Sequence, residues 1–133
     1  MANIEITYLG DLRTELTHLQ SGQKTVTDAP LDNHGKGEAI SPTDMLAASL
    51  GSCMLTVMGL AARTHGIDID GTDCSVTKVM AANPRRVAEI TVSFMFHKSY
   101  TDKEQKILES ASLTCPIYYS LSPDLKKTVE FGW

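Results

Sequence analysis

The segment from Met45 to Ala62 constrains the fold most, because these 18 consecutive residues include no charge. The preceding Ser-Pro-Thr-Asp at 41–44 is typical of a helix start, with a capping serine, a proline suited to the first position and a capping-box acid. Gly66 is typical of the position just beyond a helix. We therefore predict one long helix that offers no polar face to water.

Such a helix must be covered on nearly all sides, and three arrangements could cover it. A membrane span is one, but Ser49, Ser52 and Thr56 make the segment weakly apolar and nothing else in the sequence is typical of a membrane protein. Burial in the centre of a monomer is the second, which 133 residues achieve with difficulty. A partner subunit is the third, and Ala47 and Gly51 would permit close helix packing. We expect a homodimer and no membrane partner.

Alternation of apolar with polar residues predicts strands on both sides of this helix. The predicted strands are residues 4–8, 12–17, 23–28, 67–80, 90–96 and 127–131. The first three form an antiparallel meander in which Ile4, Ile6 and Tyr8 are half-buried, and the next two form a long hairpin. A second capping box, at Thr101 and Glu104, begins another helix, so we predict a mixed α+β fold.

Composition limits the classes of function. With 133 residues, of which 42% are apolar and 21% charged, the chain is expected to form one globular domain. The net charge of −4 and the lack of a basic cluster argue against nucleic acid as a partner. The three cysteines form no C-x-x-C pair and no signal sequence is visible, so we expect the reducing cytoplasm. The four histidines are scattered, so we expect no metal site.

Two of the three cysteines lie at positions where a thiol can react. Cys53 lies deep in the uncharged helix beside Gly51 and Ser52, small residues that allow another group to approach. Cys115 immediately precedes a proline at a predicted helix start, where backbone N–H groups favour a thiolate. Either cysteine could instead be a packing residue, and for Cys74, in a strand, the inert alternative is favoured.

Four motifs follow one another along the chain. They are Ser-Pro-Thr-Asp at 41–44, Ala-Ala-Ser-Leu-Gly-Ser-Cys at 47–53, His-Gly at 65–66 and Cys-Pro at 115–116. Together they resemble the OsmC/Ohr family of thiol peroxidases over almost the whole chain. The resemblance implies that residues 1–133 form a single OsmC-like domain, an α+β fold in which two buried central helices are wrapped by antiparallel β-sheets. It also implies an intertwined homodimer, which agrees with the uncharged helix.

The resemblance further implies a cofactor-free peroxidase that reduces organic hydroperoxides in oxidative-stress defence. Cys53 would be the peroxidatic cysteine and form a sulfenic acid, and Cys115 would be the resolving cysteine that condenses with it to a disulfide. An external dithiol reductant would then restore both thiols. The family's arginine from the N-terminal meander corresponds by position to Arg13, and the acid that holds it corresponds to Asp44.

Arg13 and Asp44 each have a structural alternative. Arg13 could be an exposed strand residue paired with Glu15 or Asp11, and Asp44 could serve only as a helix cap. In the best-studied peroxidases of the family the acid lies ten residues before the cysteine, whereas Asp44 lies nine before Cys53. Nine residues of helix are about 13.5 Å and about 180° of rotation, so an irregular helix or the other subunit must bring Asp44 to the thiol.

The expected substrate pocket is apolar. Met54, next to Cys53, and Tyr118 and Tyr119, close to Cys115, could line it and favour organic peroxides over hydrogen peroxide. Core packing is the alternative for all three side chains. The alternative for the whole protein is a non-catalytic member of the same fold that binds a small apolar ligand or a partner.

Overall fold

The N-terminal part of the chain forms a three-stranded antiparallel sheet. The structure is a computed structural model that describes all residues, 1–133. Its first strands are β1 (Ile4–Gly10), β2 (Arg13–His18) and β3 (Lys24–Asp28), paired in the order β1-β2-β3. The predicted meander is therefore confirmed. Residues 29–41 form the connection that follows, with one turn of 3-10 helix at Leu31–Asn33.

The apolar face of β1 is exposed in the single chain, which differs from the expected half-burial. Ile4, Ile6 and Tyr8 lie on one face, because successive side chains of a strand alternate, and they are 41%, 62% and 65% exposed. Met1–Met45 is a compact unit in its own right, and within it no element covers this face. A row of apolar side chains open to water is typical of a surface that another protein chain covers.

The uncharged segment is a single helix, α1 (Pro42–His65). The predicted capping box is formed: the Asp44 N–H donates to Ser41 Oγ at 3.0 Å, and the Ser41 N–H donates to Asp44 Oδ2 at 3.2 Å. The helix ends before Gly66, whose φ of +66° is the left-handed conformation that glycine adopts most easily. By length and composition α1 could cross a membrane, but the core helices of many proteins share both properties.

Residues Leu46–Trp133 form a second compact unit, built on another three-stranded sheet. Its strands are β4 (Asp73–Ala81), β5 (Arg86–Met95) and β6 (Lys126–Gly132), in the order β4-β5-β6. β4 and β5 form the predicted hairpin, although β4 begins at Asp73 and not at Ile67. β6 pairs parallel with β5, so the sheet is mixed and not antiparallel throughout as expected. The crossover that a parallel pair needs consists of α2 (Asp102–Ser112) and α3 (Pro116–Ser120).

The core of this second unit lies between the helices and the inner face of the sheet. Its fully buried side chains include Leu50, Met54 and Met58 from α1, Ile90 and Val92 from β5, and Leu108 from α2. The three α1 residues are four apart, so they share one face of the helix. The α+β fold class expected from the sequence is confirmed.

The opposite side of α1 is open in the single chain. Leu46 and Leu60 are 40% and 57% exposed, and Ser52 and Thr56 between them are also exposed. The uncharged part of α1 thus has one face in the core and leaves a second face, which is uncharged and partly apolar, in contact with water. This face and the outer row of β1 are two surfaces that the single chain does not bury.

Candidate active site

The fold brings Cys53 and Cys115 together. Cys53 lies near the middle of α1, Cys115 is the N-cap residue of α3, and their side chains are in hydrogen-bond contact. Both are free thiols. Cys115 is fully buried whereas Cys53 is half-buried, so Cys53 is the member of the pair that a solute can reach.

Burial dominates the acid–base behaviour of Cys115, contrary to the expectation that a helix start would favour its thiolate. Loss of hydration raises the pKa of Cys115, and the hydrogen bond with Cys53 raises it further. The backbone N–H groups of Tyr118 and Ile117 lower the same pKa, but by less. Cys115 is therefore a protonated thiol at neutral pH and can donate its S–H to Cys53.

The small neighbours of Cys53 have different surroundings from each other. A Cβ added at Gly51 would lie 2.8 Å from Val76 Cγ2 and 3.0 Å from Cys74 Sγ, so this glycine makes room for β4 and not for a substrate. Ser52 is exposed. The open approach to α1 beside Cys53 is therefore on the side of Ser52.

Cys74 lies on another side of α1 from the cysteine pair. Its Sγ faces Gly51, which is two residues before Cys53, and two residues of helix correspond to about 200° of rotation. Burial raises the pKa of Cys74, which keeps it in the thiol form. Its contacts are those of a packing residue, the alternative that the sequence favoured.

Arg13 lies on β2 in the N-terminal unit and has an unused donor. Its ion pair is with Glu38, at 3.8 Å between Nη1 and Oε2, and not with Glu15 or Asp11 as the alternative supposed. Glu15 instead pairs with Lys24 at 3.2 Å. Arg13 Nε is buried without a hydrogen-bond partner. The Nε–H is therefore a buried donor that the single chain leaves unsatisfied.

A buried carboxylate that the sequence analysis missed lies opposite this arginine. Asp28 on β3 pairs with Arg13 in the strand register and is 0% exposed. Its Oδ2 accepts the Glu38 N–H at 3.0 Å, whereas its Oδ1 has no partner. An aspartate just before Ala-Pro looks like a turn residue in the sequence. Only the strand register shows that it faces Arg13.

Asp44 lies in the first turn of α1, where it completes the capping box with Ser41. The helix continues as a regular α-helix to His65, so the irregularity considered for Asp44 is absent. A role for Asp44 beside a cysteine therefore depends on the other subunit, and it stays a prediction.

The three residues predicted to contact substrate differ in exposure. Met54 is 0% exposed in the core, so the single chain gives it no surface for a ligand. Tyr118 packs half-buried against the core, with Lys127 Nζ 5.3 Å from its ring centre. Tyr119 is 72% exposed and lies edge-on to Tyr118, with ring centres 6.1 Å apart. An apolar ligand near Cys115 could therefore contact Tyr118 and Tyr119, but not Met54.

Two of the four histidines illustrate the local contacts that these side chains make. His97 Nε2 lies 2.7 Å from Asp73 Oδ2, and His65 Nδ1 lies 2.9 Å from the carbonyl oxygen of Ala61. No group of three or more His, Cys, Asp or Glu side chains is arranged to hold a metal ion.

Comparison with known proteins identifies the family. The family model for OsmC-like protein matches residues 35–130, a range that includes Cys53 and Cys115. The chain belongs to the OsmC-like family. A crystal structure of a Psychrobacter arcticus protein, named for osmotic stress induction and a detoxification response, is 53% identical, with a TM-score of 0.95. The match covers 98% of this chain and 96% of that one. No curated protein matches the chain.

More distant OsmC-like structures share the fold at low identity. An organic hydroperoxide resistance protein OsmC from Legionella pneumophila is 12% identical over 100% of this chain and 98% of its own, with a TM-score of 0.77. An organic hydroperoxide resistance protein from Elizabethkingia anophelis is 14% identical over 99% and 96%, with a TM-score of 0.72. These two structures support the OsmC-like fold, and the resemblance found in the motifs is confirmed.

Proposed function

We propose that this OsmC-like protein is a thiol-dependent peroxidase that reduces organic hydroperoxides in defence against oxidative stress. The observation that carries the proposal is the contact between a half-buried thiol, Cys53, and a buried thiol, Cys115. A reactive thiol needs a second thiol within bonding reach if its oxidation is to end in a disulfide. The names of two relatives with this fold, organic hydroperoxide resistance proteins, agree with that chemistry.

The first step oxidises Cys53. Its thiolate attacks the terminal oxygen of the hydroperoxide, the O–O bond breaks, and the departing alkoxide takes up a proton and leaves as an alcohol. Cys53 becomes a sulfenic acid. Cys115 supports this step because its protonated thiol can donate a hydrogen bond to the Cys53 thiolate.

The second step forms the disulfide. Cys115 loses its proton and attacks the sulfenic sulfur of Cys53, and the hydroxyl group leaves as water. The N–H groups of Tyr118 and Ile117 stabilise the negative charge that develops on Cys115. An external dithiol then reduces the disulfide by exchange, so one hydroperoxide and one dithiol are consumed in each cycle without a cofactor.

Arg13 is the proposed source of positive charge for the reacting sulfur. A half-buried thiolate needs a cationic partner, because burial alone disfavours the charged form. The unused Nε of Arg13 agrees with this role, and the buried carboxylate of Asp28 on the paired strand is suited to orient the guanidinium. Asp44 is the proposed acid of the family pattern, supplied by the other subunit.

The proposed active form is an intertwined homodimer. The open face of α1 around Leu60 and the outer row of β1, with Ile6 and Tyr8, are apolar surfaces that a second copy would bury. We place the protein in the reducing cytoplasm, where a dithiol can regenerate Cys53 and Cys115 and where Cys74 remains a thiol.

A peroxide-consumption assay tests the proposed function. With a dithiol reductant, the protein should consume cumene hydroperoxide faster than hydrogen peroxide, and Cys53→Ser should abolish turnover. Arg13→Ala should slow peroxide attack by about a hundredfold. Arg86→Ala is the matched control, because that guanidinium only donates to carbonyl groups of the β4–β5 turn. If the unaltered protein consumes no peroxide, the non-catalytic binding protein replaces this proposal.

A further inference from the structure

Two buried polar atoms on neighbouring strands of the N-terminal sheet lack a hydrogen-bond partner. They are the Nε of Arg13 on β2 and the Oδ1 of Asp28 on β3. The first is a donor and the second an acceptor, and both belong to ionisable side chains. Burial of such atoms is costly unless they are hydrogen-bonded, so a bond between these two would remove both costs at once.

The strand register places the two side chains side by side. Arg13 and Asp28 are directly opposite each other in the antiparallel pairing of β2 with β3. Residues paired in this way project from the same face of a sheet, with Cβ atoms about 4.5–5.5 Å apart. Rotation of side-chain bonds, without movement of the backbone, can therefore bring the Nε–H of Arg13 to Oδ1 of Asp28.

Asp28 also has a structural role, which involves other atoms of the same residue. Its Oδ2 accepts the Glu38 N–H at 3.0 Å, and its own N–H donates to the Ile40 carbonyl oxygen at 3.1 Å. Both contacts attach the loop that follows β3 to the end of this strand. Attachment of the loop needs an acceptor at position 28 but no negative charge, and it leaves Oδ1 unused.

Other acids of the N-terminal unit are less suited to fix the guanidinium of Arg13. Glu38 Oε2 lies 3.8 Å from Nη1, but the Glu38 side chain is 57% exposed, and exposed ion pairs hold long side chains weakly. Glu15 pairs with Lys24 instead. Asp28 is 0% exposed, so neither water nor salt weakens its attraction for a neighbouring cation.

We propose that Asp28 is the positioning residue of Arg13, with its Oδ1 accepting the Nε–H and its Oδ2 fixing the loop. A planar guanidinium held at Nε has a fixed orientation and keeps both Nη groups for other partners. The consequence for catalysis rests on the proposed function, in which Arg13 stabilises the reacting sulfur of Cys53. Asp28 touches neither thiol nor peroxide there, and it acts through the arginine alone.

Nitrogen-15 NMR of the arginine side chains tests the contact without an assay of activity. The Nε–H signal of Arg13, assigned by its loss in Arg13→Lys, should exchange with water about tenfold faster in Asp28→Asn, which keeps an acceptor for the loop but loses the charge. The backbone N–H of Glu38 should exchange at an unchanged rate, because the loop stays attached. Glu38→Gln is the matched control and should leave the Arg13 signal unchanged. Equal exchange of that signal in Asp28→Asn and the unaltered protein would overturn the proposal.

A double-mutant cycle separates this inference from the proposed function. Asp28→Asn should slow consumption of cumene hydroperoxide by about tenfold when Arg13 is present, and by less than about twofold in the Arg13→Ala background. No slowing, or equal slowing in both backgrounds, would mean that Asp28 does not act through Arg13, and the peroxidase function would stand without it. If no form of the protein consumes peroxide, the proposed function fails, and the Arg13 Nε–H signal alone decides on the contact.

Discussion

The thiol of Cys115, the residue that caps α3, contacts the thiol of Cys53 in the middle of α1. The contact joins a buried sulfur, in a position where backbone N–H groups can stabilise charge, to a half-buried sulfur that solutes can reach. This difference in exposure agrees with the roles proposed above, in which Cys53 meets the oxidant and Cys115 resolves the product.

Oxidation should link this pair and no other. One equivalent of an organic hydroperoxide should convert Cys53 and Cys115 of the same chain to a disulfide, because their thiols are already in contact. Peptide mapping by mass spectrometry measures the linkage. Cys74 should stay free, since its Sγ faces Gly51 on another side of α1.

Variants of the three cysteines provide the controls for this experiment. Cys115→Ser should accumulate sulfenic or sulfinic acid at Cys53, because nothing resolves the first product. Cys74→Ser should behave like the unaltered protein. A disulfide that includes Cys74, or a Cys53 that stays reduced while other thiols react, would contradict the peroxidase mechanism.

The raised pKa of Cys115 should make stability depend on pH in the alkaline range. Because burial and the contact with Cys53 raise the pKa above the ordinary value of 9.0, the folded protein binds the thiol proton more tightly than the unfolded chain. The resulting stabilisation is present below pH 9.0 and is lost as the pH rises through the raised pKa. Urea unfolding under reducing conditions should therefore show a steeper alkaline loss of stability than the same measurement on Cys115→Ala. Identical slopes would mean that Cys115 titrates normally.

Gly51 and Gly59 provide a matched pair for the packing of α1. Gly51→Ala places a methyl group 2.8 Å from Val76 Cγ2, a stiff β-branched neighbour, and overpacking of this kind costs about 1–3 kcal/mol. A Cβ at Gly59 meets nothing within 4 Å, so Gly59→Ala should stabilise the helix by about 0.5–1 kcal/mol. Chemical denaturation should place Gly51→Ala below Gly59→Ala in stability. The reverse order would mean that α1 does not approach β4 as described.

Comparison of variants at Asp44 and Glu104 distinguishes a role in helix capping from a role in catalysis. Each is the acid of a capping box, with the Ser41 N–H donating to Asp44 at 3.2 Å and the Thr101 N–H donating to Glu104 at 2.9 Å. Asp44→Ala and Glu104→Ala should each lower the free energy of unfolding by about 0.3–1 kcal/mol, because each removes an acid from the first turn of a helix. Only Asp44→Ala should slow consumption of cumene hydroperoxide. Equal rates in the two variants would leave Asp44 with a structural role alone.

A charge on the open face of α1 should separate the proposed dimer. Leu60 is 57% exposed in the single chain, and Leu60→Glu would bury a carboxylate without a partner at a subunit interface. Sedimentation should show a dimer for the unaltered protein and dissociation for this variant. Leu31→Glu, at a residue 79% exposed in the loop after β3, should remain dimeric. A stable monomer of the unaltered chain at micromolar concentration would contradict the dimer.

The local elements could be predicted from the sequence because their causes are local. The 18 uncharged residues between a Ser-Pro-Thr-Asp start and Gly66 predicted α1, and period-two alternation predicted the strands. Reciprocal hydrogen bonds at Asp44 and at Glu104 followed from residues three positions apart. The motifs around Cys53 and Cys115 were sufficient to identify the family.

Only the tertiary structure decided which of these elements meet and what each surface faces. Three features could not be predicted from local patterns, because each joins segments that are distant in the chain. They are the contact of Cys53 with Cys115, the register of Asp28 opposite Arg13 and the parallel pairing of β6 with β5. The burial of each side chain is likewise decided by the tertiary structure. Cys115 lies at a helix start, a position that favours a thiolate, but the surrounding core removes water and raises the pKa of its thiol instead. Hydrophobic burial depends on everything packed around a residue, whereas capping and strand alternation depend on the few residues beside it.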